Sequence, residues 1–403
     1  MRHGHRLLVL ATHPVQYQGP LWRTLAAAPG VLTKVLFLSD FSVRGYRDTE
    51  FNVDVRWTTP LLDGYDHEFL SHGPCHSAWS AGPSGLHAAM AAFAPSAVLV
   101  NGFIPLFYPR AALSARRLGA RVLYRGEASD SAVDRGFVKA WVRDRLLKRF
   151  YGGIDVFLSI GTHARTHYQR LGVPPERIVS SPYCIDTDHF AASARQWLPM
   201  RQEVRNDLRI PAERMAVLFS GKLIPKKDPE TLIRAADRLR KRTGLRPTVI
   251  FMGDGLLRTH AEQLASTLGV DARFVGFQSQ ENVGRYLAAA DLLVLPSVFG
   301  ETWGLVVNEA LQFGIPAIVS DQVGCAPDLI VSGQTGEIFP AGDVAALADR
   351  LGQIARAFAA GEACRYRQAC ERLIATYTLH HAAAGVIKAI RTSVCSRHDW
   401  ELT

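Results

Sequence analysis

The segment Ala216-Val217-Leu218-Phe219-Ser220-Gly221-Lys222-Leu223-Ile224-Pro225-Lys226-Lys227-Asp228 decides the fold class of this chain. An apolar run ends in Ser-Gly, lysines follow, and an amphipathic helical pattern begins near Asp228. A buried strand that turns directly into a helix is the repeating unit of a parallel α/β sheet. Because ammonium groups on such a turn suit a diphosphate, the turn is also a candidate anion site. The alternative is a solvated lysine run that closes an ordinary turn.

The same alternation of strand and helix extends in both directions from this segment. The first half of the chain has predicted strands at 7–11, 34–38, 97–100, 121–124 and 156–160, and the second half has further strands at 247–252, 272–275, 292–295 and 316–320. Helical patterns in the second half cover 228–242, 256–268, 282–290, 305–313 and 343–357, and a last one covers 366–394. This pattern predicts two doubly wound α/β domains that face each other across a cleft.

The domain boundary is predicted from a change in composition. The alternation of strands and helices lapses at about 186–212, which we interpret as the linker between the domains. The predicted domains are therefore 1–190 and 191–377, and a C-terminal helix at about 378–403 is free to pack back on the first domain. Clefts between two such domains usually hold a ligand that both halves share.

Composition excludes several classes of protein. The 403 residues are 48% hydrophobic and 21% charged, which fits two folded domains rather than a disordered chain, a collagen or a small disulfide scaffold. The six cysteines form no Cys-x-x-Cys pair, so no metal site is predicted. No apolar run approaches the roughly 20 residues that span a bilayer, and the run at 7–11 is too short for a signal peptide. We expect a cytoplasmic protein, either soluble or peripheral on the inner face of the membrane.

A second segment, 295–309, also carries candidate chemistry. A buried strand runs into a glycine-containing loop and then into a helix from about Gly304, with Glu301 in the loop and Glu309 on the helix. Backbone N–H groups at the helix start can hold a phosphate or sugar oxygen, and a carboxylate accepts hydrogen bonds from the paired hydroxyls of a sugar or ribose. The alternatives are a first-turn acid that complements the helix dipole and an exposed loop acid.

Together these segments resemble the retaining, nucleotide-sugar-dependent glycosyltransferases of family 4, which have the two-domain GT-B fold. The resemblance is strong over 155–340 and weak over 1–150. It is carried by Gly221-Lys222-Leu223 with Lys227, Gly253-Asp254-Gly255, Phe274-Val275-Gly276-Phe277, Ala290-Asp291, the Glu-x7-Glu motif from Glu301 to Glu309, and the segment 178–190 that leads out of the first domain.

The resemblance implies that the protein transfers a sugar from a UDP- or GDP-linked donor to a hydroxyl of a glycan or lipid-linked acceptor, without a metal ion. Lys222, where the family more often has arginine, and Lys227 would neutralise the diphosphate on the turn at Gly221. Glu309 would bind the ribose and Glu301 the transferred sugar. Other positions implied in donor binding are the main chain of Thr302, Trp303, Gly304 and Leu305 near the sugar, and Gly276 and Phe277 near the base.

The first domain departs from the family pattern. The loop after its first strand contains only one glycine, Gly19, and the later strand at 121–124 leads to Arg125 and Glu127 where the family often has a histidine. Arg125 could serve the donor phosphate or the acceptor, and the alternative is an Arg–Glu pair that closes a strand end. His13, at the end of the first strand, is a further candidate for the site, although a histidine in that loop alone is more often structural.

The positive charge of the chain is concentrated in one region. The net charge is +9, and residues 110–149 contain 11 basic and four acidic side chains, a surplus of +7. The segment 137–150 therefore reads as a cationic amphipathic helix that could contact an anionic membrane surface. Alternatively its aromatic face packs on its own sheet. No nucleic-acid recognition motif accompanies the basic residues, so no nucleic-acid partner is expected.

Two other functions of the same fold stay open at this stage. One is a nucleotide-sugar epimerase or a phosphorylase, and the other is a non-catalytic relative that binds a nucleotide sugar. The presence of both Glu301 and Glu309 argues against the epimerase, the phosphorylase and the non-catalytic relative, while the absent first-domain histidine leaves the binding protein in consideration.

Overall fold

The computed structural model describes residues 4–43, 45–48, 53–55, 60–73, 77, 79–127, 130 and 136–392. The first half forms a seven-stranded parallel sheet in the order β5-β2-β1-β6-β7-β8-β9, and β3 pairs antiparallel with β4 beside it. The strands are β1 His5–Ala11, β2 Val31–Phe37, β3 Tyr46–Asp48, β4 Val53–Val55, β5 Asp66–Phe69, β6 Ala97–Val100, β7 Arg121–Tyr124, β8 Val156–Ser159 and β9 Ile178–Ser180.

Helices cover both faces of this first sheet because its central strands are apolar on both sides. They are α1 Gly19–Ala26, α2 Leu86–Phe93, α3 Phe107–Arg117, α4 Phe137–Tyr151 and α5 Thr162–Arg170. Along β1, Leu8 and Leu10 belong to one core cluster, while Leu7 and Val9 belong to another on the opposite face. The first of these clusters continues into the second half of the chain, so the two halves share buried apolar contacts.

The second half contains a six-stranded parallel sheet in the order β12-β11-β10-β13-β14-β15. Its strands are β10 Ala216–Ser220, β11 Thr248–Met252, β12 Ala272–Gly276, β13 Leu292–Leu295, β14 Ala317–Ser320 and β15 Gly336–Phe339. Its helices are α8 Pro229–Thr243, α9 Arg258–Leu268, α10 Gln280–Ala289, α11 Leu305–Gln312, α12 Ala326–Leu329 and α13 Val344–Ala359. The strand order reverses between β10 and β13, and a crevice for a ligand forms at such a switch point. The predicted pair of doubly wound α/β domains is confirmed.

The segment at 186–212, which the sequence predicts as the linker between domains, is helical over most of its length. It contains α6 Thr187–Trp197, a 3-10 turn and α7 Arg201–Asp207, which pack against α10 and α11. Asp186 caps α6, because its Oδ1 accepts a hydrogen bond from the His189 N–H at 3.1 Å. Most residues of the segment are polar, but its helices have a narrow apolar face, and Phe190 and Val204 on that face are buried. The boundary between domains at residue 190 stays a prediction.

The end of the chain forms two helices rather than the single predicted one. Helix α14, Ala363–Ile374, contacts α11 in the second half, and α15, Leu379–Arg391, contacts α1 and strands β7, β8 and β9 in the first. Thr378 separates them by capping α15, since its side chain accepts from the His381 N–H. The C-terminal segment therefore crosses from one half to the other, while 393–403 lie outside the described residues. In the part of the chain that the structure describes, no helix is long and apolar enough to cross a bilayer.

Candidate active site

Two glycine turns lock together at the carboxyl ends of β10 and β11. Gly221 has φ +150° and Gly253 has φ +142°, and a Cβ on Gly253 would lie 1.9 Å from the carbonyl oxygen of Gly221. The Gly221 N–H donates to the Met252 carbonyl at 3.0 Å, and the Leu223 N–H donates to the Asp254 carbonyl at 2.8 Å. Only glycine permits this backbone contact. The turn that carries Lys222 and Lys227 is therefore rigid.

Lys227 and Glu301 form an ion pair at the mouth of the crevice. The Ser297 hydroxyl donates to the same Glu301 oxygen at 2.9 Å, and the two charged side chains are only 16% and 11% exposed. A Cβ on Gly221 would lie 3.6 Å from Lys227 Cε, so the turn and the ion pair are in contact. Lys222 lies on the same turn and is partly exposed. Because Lys227 is paired with Glu301, its buried charge is balanced even when no ligand is bound. The same ammonium group can also contact an incoming anion.

The loop at 300–304, called here the glutamate loop, connects β13 to α11. Its backbone is fixed within the second half, since the Glu301 and Trp303 carbonyls accept from the N–H groups of Gly324 and Cys325, each at 2.9 Å. Gly304 ends the loop with φ +98°, which allows α11 to begin at Leu305. The first N–H groups of a helix have no intrahelical acceptor and create a partial positive charge. This end of the loop therefore suits an anionic or hydroxylic ligand.

Glu309 lies one turn into α11. Burial raises the pKa of its carboxyl to about 8, and nothing in the described surroundings lowers it again. Among the residues that the structure describes, none forms an ion pair with Glu309, and its side chain is partly exposed. A carboxyl without a partner in a protein interior usually serves a ligand or titrates to its neutral form. Hydroxyl donors from a bound molecule would fit this position.

The base region predicted at Gly276 and Phe277 lies at the end of β12, beyond β11 from the lysine turn. Gly276 has φ +75°, and its carbonyl accepts from the Gly253 N–H at 2.9 Å. The Phe277 side chain is 42% exposed. The structure thus brings the lysine turn, the Gly-Asp-Gly turn and the Gly276 turn to one edge of the second sheet.

Arg125 has a different environment from the one that the sequence suggested. It is 6% exposed, and its guanidinium donates to the Ser181 hydroxyl at 3.3 Å and to the Ser181 and Pro182 carbonyls at 3.4 and 3.3 Å. These bonds brace the segment that leaves the first sheet. Within the described part of the chain, Arg125 makes these bonds rather than an ion pair with Glu127, and its role toward a donor phosphate or an acceptor stays a prediction.

Glu127 reaches across the cleft to the glutamate loop. One of its oxygens accepts from the Thr302 hydroxyl at 2.7 Å, and the other accepts from the Tyr183 hydroxyl. Sequence reasoning placed Glu127 near the site but missed Tyr183. The signal was absent because Tyr183 lies in an apolar segment where a buried tyrosine needs no functional explanation.

The remaining first-half candidates, His13 and Gly19, lie on the loop that follows β1. His13 Nδ1 lies 3.0 Å from the Thr12 hydroxyl, and its ring centroid lies 4.5 Å from that of Phe41. Gly19 begins α1, and a Cβ there would lie 3.1 Å from the Leu61 carbonyl oxygen. The close approach to Leu61 explains why a glycine stands at position 19, and the roles of His13 and Gly19 in donor binding stay predictions.

Comparisons with known proteins agree with this geometry. Residues 200–360 match the family model "Glycosyl transferases group 1". The GDP-mannose-dependent alpha-(1-6)-phosphatidylinositol monomannoside mannosyltransferase of Mycolicibacterium smegmatis is 30% identical over 265 residues, which cover 62% of this chain and 66% of the relative. The D-inositol 3-phosphate glycosyltransferase of Mycolicibacterium paratuberculosis is 32% identical over 226 residues, which cover 53% of this chain and 49% of the relative. The chain thus spans between half and two thirds of the length of these curated relatives.

Solved structures share the whole architecture. A glycosyltransferase from Rickettsia africae has a TM-score of 0.71 at 11% identity and covers 96% of this chain and 98% of its own. Anabaena Alr3699/HepE in complex with UDP has a TM-score of 0.68 at 15% identity, with 96% of this chain and 99% of its own covered. At these identities the likeness establishes the fold. The chain therefore has the GT-B fold, and its residues 200–360 match the glycosyl transferases group 1 family.

Proposed function

We propose that this protein is a hexosyltransferase that moves a sugar from a nucleoside diphosphate donor to a hydroxyl group of a glycan or lipid-linked acceptor. The observation that carries the proposal is the contact between Lys227 and Glu301 beside the rigid Gly221 turn, inside the segment that matches the group 1 family. This arrangement places a cation and a hydroxyl-binding carboxylate side by side, as a phosphate joined to a sugar requires.

The proposed reaction retains the configuration at the anomeric carbon. The bond between that carbon and the diphosphate oxygen breaks with its electron pair on the diphosphate, and the acceptor oxygen forms the new bond from the same side. The acceptor proton passes to the departing phosphate oxygen. Lys222 and Lys227 would stabilise the negative charge that develops there, which is the kind of fixed electrostatic contribution that lowers a barrier most, and the proposal assigns this role to them rather than to a metal ion.

The other donor contacts follow from the same placement. Glu301 would accept hydrogen bonds from hydroxyls of the transferred sugar, and the N–H groups from Thr302 to Leu305 would hold nearby oxygens. Glu309 would accept from the ribose hydroxyls, which are the donors that its enclosed carboxyl lacks. A UDP or GDP donor is supported by two names: the M. smegmatis relative is named GDP-mannose-dependent, and the Anabaena structure contains UDP.

A donor panel tests this proposal. UDP-, GDP- and ADP-hexoses are incubated with the protein, and free nucleotide is measured with and without an acceptor extract. We expect one base to be preferred, Lys227→Ala to lower nucleotide release at least about a hundredfold, and Lys226→Ala, on the same turn, to serve as the matched control. If the wild type releases no nucleotide while Glu309→Ala binds donor as well as the wild type, the transferase proposal is wrong. Conversion of the donor to an epimeric sugar would instead identify an epimerase.

We also propose that α4 docks the protein on an anionic membrane surface, where a lipid-linked acceptor would lie. Val138, Trp141, Val142 and Leu146 follow helical spacing on one side and are all exposed, Trp141 by 57%. Exposed basic residues of the same helix flank them, namely Lys139, Arg145, Lys148 and Arg149. Leu147 and Tyr151 are buried and Phe150 packs on Tyr124, so this part of the aromatic face lies on the sheet while Trp141 remains exposed. Apolar side chains bordered by cations match the interface of an anionic bilayer.

Co-sedimentation with vesicles of phosphatidylcholine containing about 30% phosphatidylglycerol tests this docking. Binding is expected at low salt, with a loss of about tenfold or more in Trp141→Ser and in the double variant Lys148→Gln/Arg149→Gln. The matched control, Arg117→Gln/Arg238→Gln, removes the same charge from exposed positions on other helices and should keep wild-type binding. Equal loss in the control would show that overall charge, not α4, governs the interaction.

A further inference from the structure

Two carboxylates, one from each half, cross the cleft on either side of the glutamate loop. We propose that Glu127 and Asp328 are positioning residues, which hold the loop and the first half in the register that sugar transfer needs. The inference rests on the proposed function for its effect on turnover. It concerns the contact between the two halves.

The first crossing fastens the loop itself. Glu127 belongs to the first half, and it accepts from the hydroxyl of Thr302, the residue next to Glu301. Its other oxygen accepts from Tyr183, whose ring meets the Trp303 ring edge to face with centroids 5.8 Å apart. The adjacent side chains of Thr302 and Trp303 therefore both contact the hydrogen-bonded pair that Glu127 and Tyr183 form in the first half.

The second crossing runs in the opposite direction. Asp328, on α12 of the second half, accepts from the N–H of Thr162 at 3.0 Å and from its hydroxyl at 2.9 Å. Thr162 is the first residue of α5, so a carboxylate from one half caps a helix of the other. The neighbouring Gly161 leaves no room, since a Cβ there would lie 2.4 Å from the Trp303 ring and 2.8 Å from an Asp328 oxygen.

Both halves of the protein therefore fix the position of the glutamate loop. The second half fixes the loop backbone through Gly324 and Cys325, whereas the Thr302 side chain is set by Glu127. Trp303 is held from both sides, because its Nε1 donates to Asn308 and the Asn308 amide donates to the Tyr183 carbonyl at 3.2 Å. An acceptor carried by the first half would thereby be aligned with a sugar held at Glu301.

This positioning role has a kinetic signature. Donor binding depends on groups of the second half and should survive loss of the crossings, whereas transfer should not. In Thr302→Val and in Asp328→Asn we expect kcat to fall about 10- to 100-fold, because displacement of reacting groups by about 1 Å has that cost. The donor Kd should stay within about twofold. Thr302→Ser keeps the hydroxyl and should restore turnover.

Matched controls and a readout that needs no turnover complete the experiment. Thr243→Val removes a threonine hydroxyl that bonds only to the Leu239 carbonyl and the Leu245 N–H, both in the second half, and Asp349→Asn removes a surface carboxylate paired with Arg242. Hydrogen exchange of the 300–306 peptide in the unliganded protein should accelerate in Thr302→Val and Asp328→Asn and not in either control. The exchange readout separates the failure of this inference from the failure of the proposed function.

The outcomes are distinct. If the wild type is active and both Thr302→Val and Asp328→Asn have a normal kcat, the positioning role is wrong and the transferase proposal stands. A fall in kcat that Thr302→Ser does not restore overturns the role of the Thr302 hydroxyl bond to Glu127. If the wild type consumes no donor, the proposed function fails, and unchanged exchange in the variants then overturns the positioning role as well.

Discussion

Replacing Glu309 with glutamine should change how the stability of the protein depends on pH. Burial raises the pKa of this carboxyl from its ordinary 4.5 to about 8 in the folded protein. In the unfolded chain the group ionises near the ordinary value. Because the folded pKa is the higher one, the favourable contribution of the neutral carboxyl is complete below about pH 4.5. It is lost progressively as the pH rises to 8 and stays lost above that.

The size of the effect follows from the same two values. A difference of about 3.5 between the folded and unfolded pKa corresponds to about 5 kcal/mol at most. Since the Glu309 side chain is partly exposed, water screens part of this cost, and we expect a net effect of about 2 to 3 kcal/mol. Glutamine cannot ionise, so Glu309→Gln should be more stable than the wild type at pH 8.5 by that amount. The difference should vanish near pH 4.5.

Scanning calorimetry of the unliganded protein between pH 4.5 and 9 measures this difference. For a unit of 150 to 250 residues, each kcal/mol shifts Tm by about 2 to 4 °C, so the two proteins should separate by about 4 to 12 °C at high pH. Glu281→Gln, at an exposed position on α10, is the matched control and should follow the wild type. Parallel curves for the wild type and Glu309→Gln across the whole range would refute the reasoning, because they would mean that Glu309 ionises as freely in the folded protein as in the unfolded one.

Three further predictions concern the turn and the first half. Gly253→Ala forces a Cβ into the Gly221 carbonyl at a φ of +142°, so Tm should fall by the equivalent of about 3 kcal/mol; a calorimetric Tm equal to wild type contradicts this. Lys222→Gln should weaken binding of nucleoside diphosphate about tenfold by calorimetric titration, whereas Lys226→Gln should not, because the loss of a charge-assisted phosphate contact costs about 1.5 kcal/mol. Arg125→Met leaves the carbonyls that it braces without a donor, so denaturant unfolding should show a loss of about 2 to 3 kcal/mol with little change in nucleotide Kd; weaker nucleotide binding at full stability would restore Arg125 to the donor site.

The central strands were predictable from the sequence for a simple reason. The predicted strands at 97–100, 121–124 and 292–295 coincide with β6, β7 and β13. Strands inside a parallel sheet are buried on both faces, so they read as uninterrupted apolar runs that no other element resembles at that length. The strand and helix alternation then determined the fold class.

Of the edge strands of the two parallel sheets that the structure describes, β12 was predicted at 272–275, but the others were not predictable in this way. Strand β5 reads Asp-His-Glu-Phe and lies at one edge of the first sheet, and β9 has three residues at the other edge. β15 is the other edge strand of the second sheet. An edge strand has one neighbour and at least one wetter side, so its residues carry little apolar signal and its pairing depends on the strand already in place.

The helices within 186–212 and the break between α14 and α15 were not apparent in the sequence for a related reason. The segment 186–212 is rich in polar residues, but it becomes helical because a narrow apolar face finds α10 and α11 to pack against. Most helical stability in proteins comes from that packing and not from intrinsic propensity. The packing of α15 on the first half likewise depends on a surface formed by α1 and strands β7 to β9. No local sequence pattern near α15 predicts that surface.

The candidate site divides along the same line. By itself, the sequence determined the local units: a glycine turn with lysines, a loop that carries Glu301, and Glu309 one turn into the next helix, each set by neighbours within a few residues. Only the tertiary structure decided which groups meet. Lys227 and Glu301 are 74 residues apart, Thr162 and Asp328 are 166 apart, and Glu127 and Thr302 are 175 apart. The Lys227–Glu301 contact depends on the order of the strands within the second sheet, and the other two contacts depend on how the two sheets are placed against each other. The local backbone preferences that a sequence pattern reports carry no information about either arrangement.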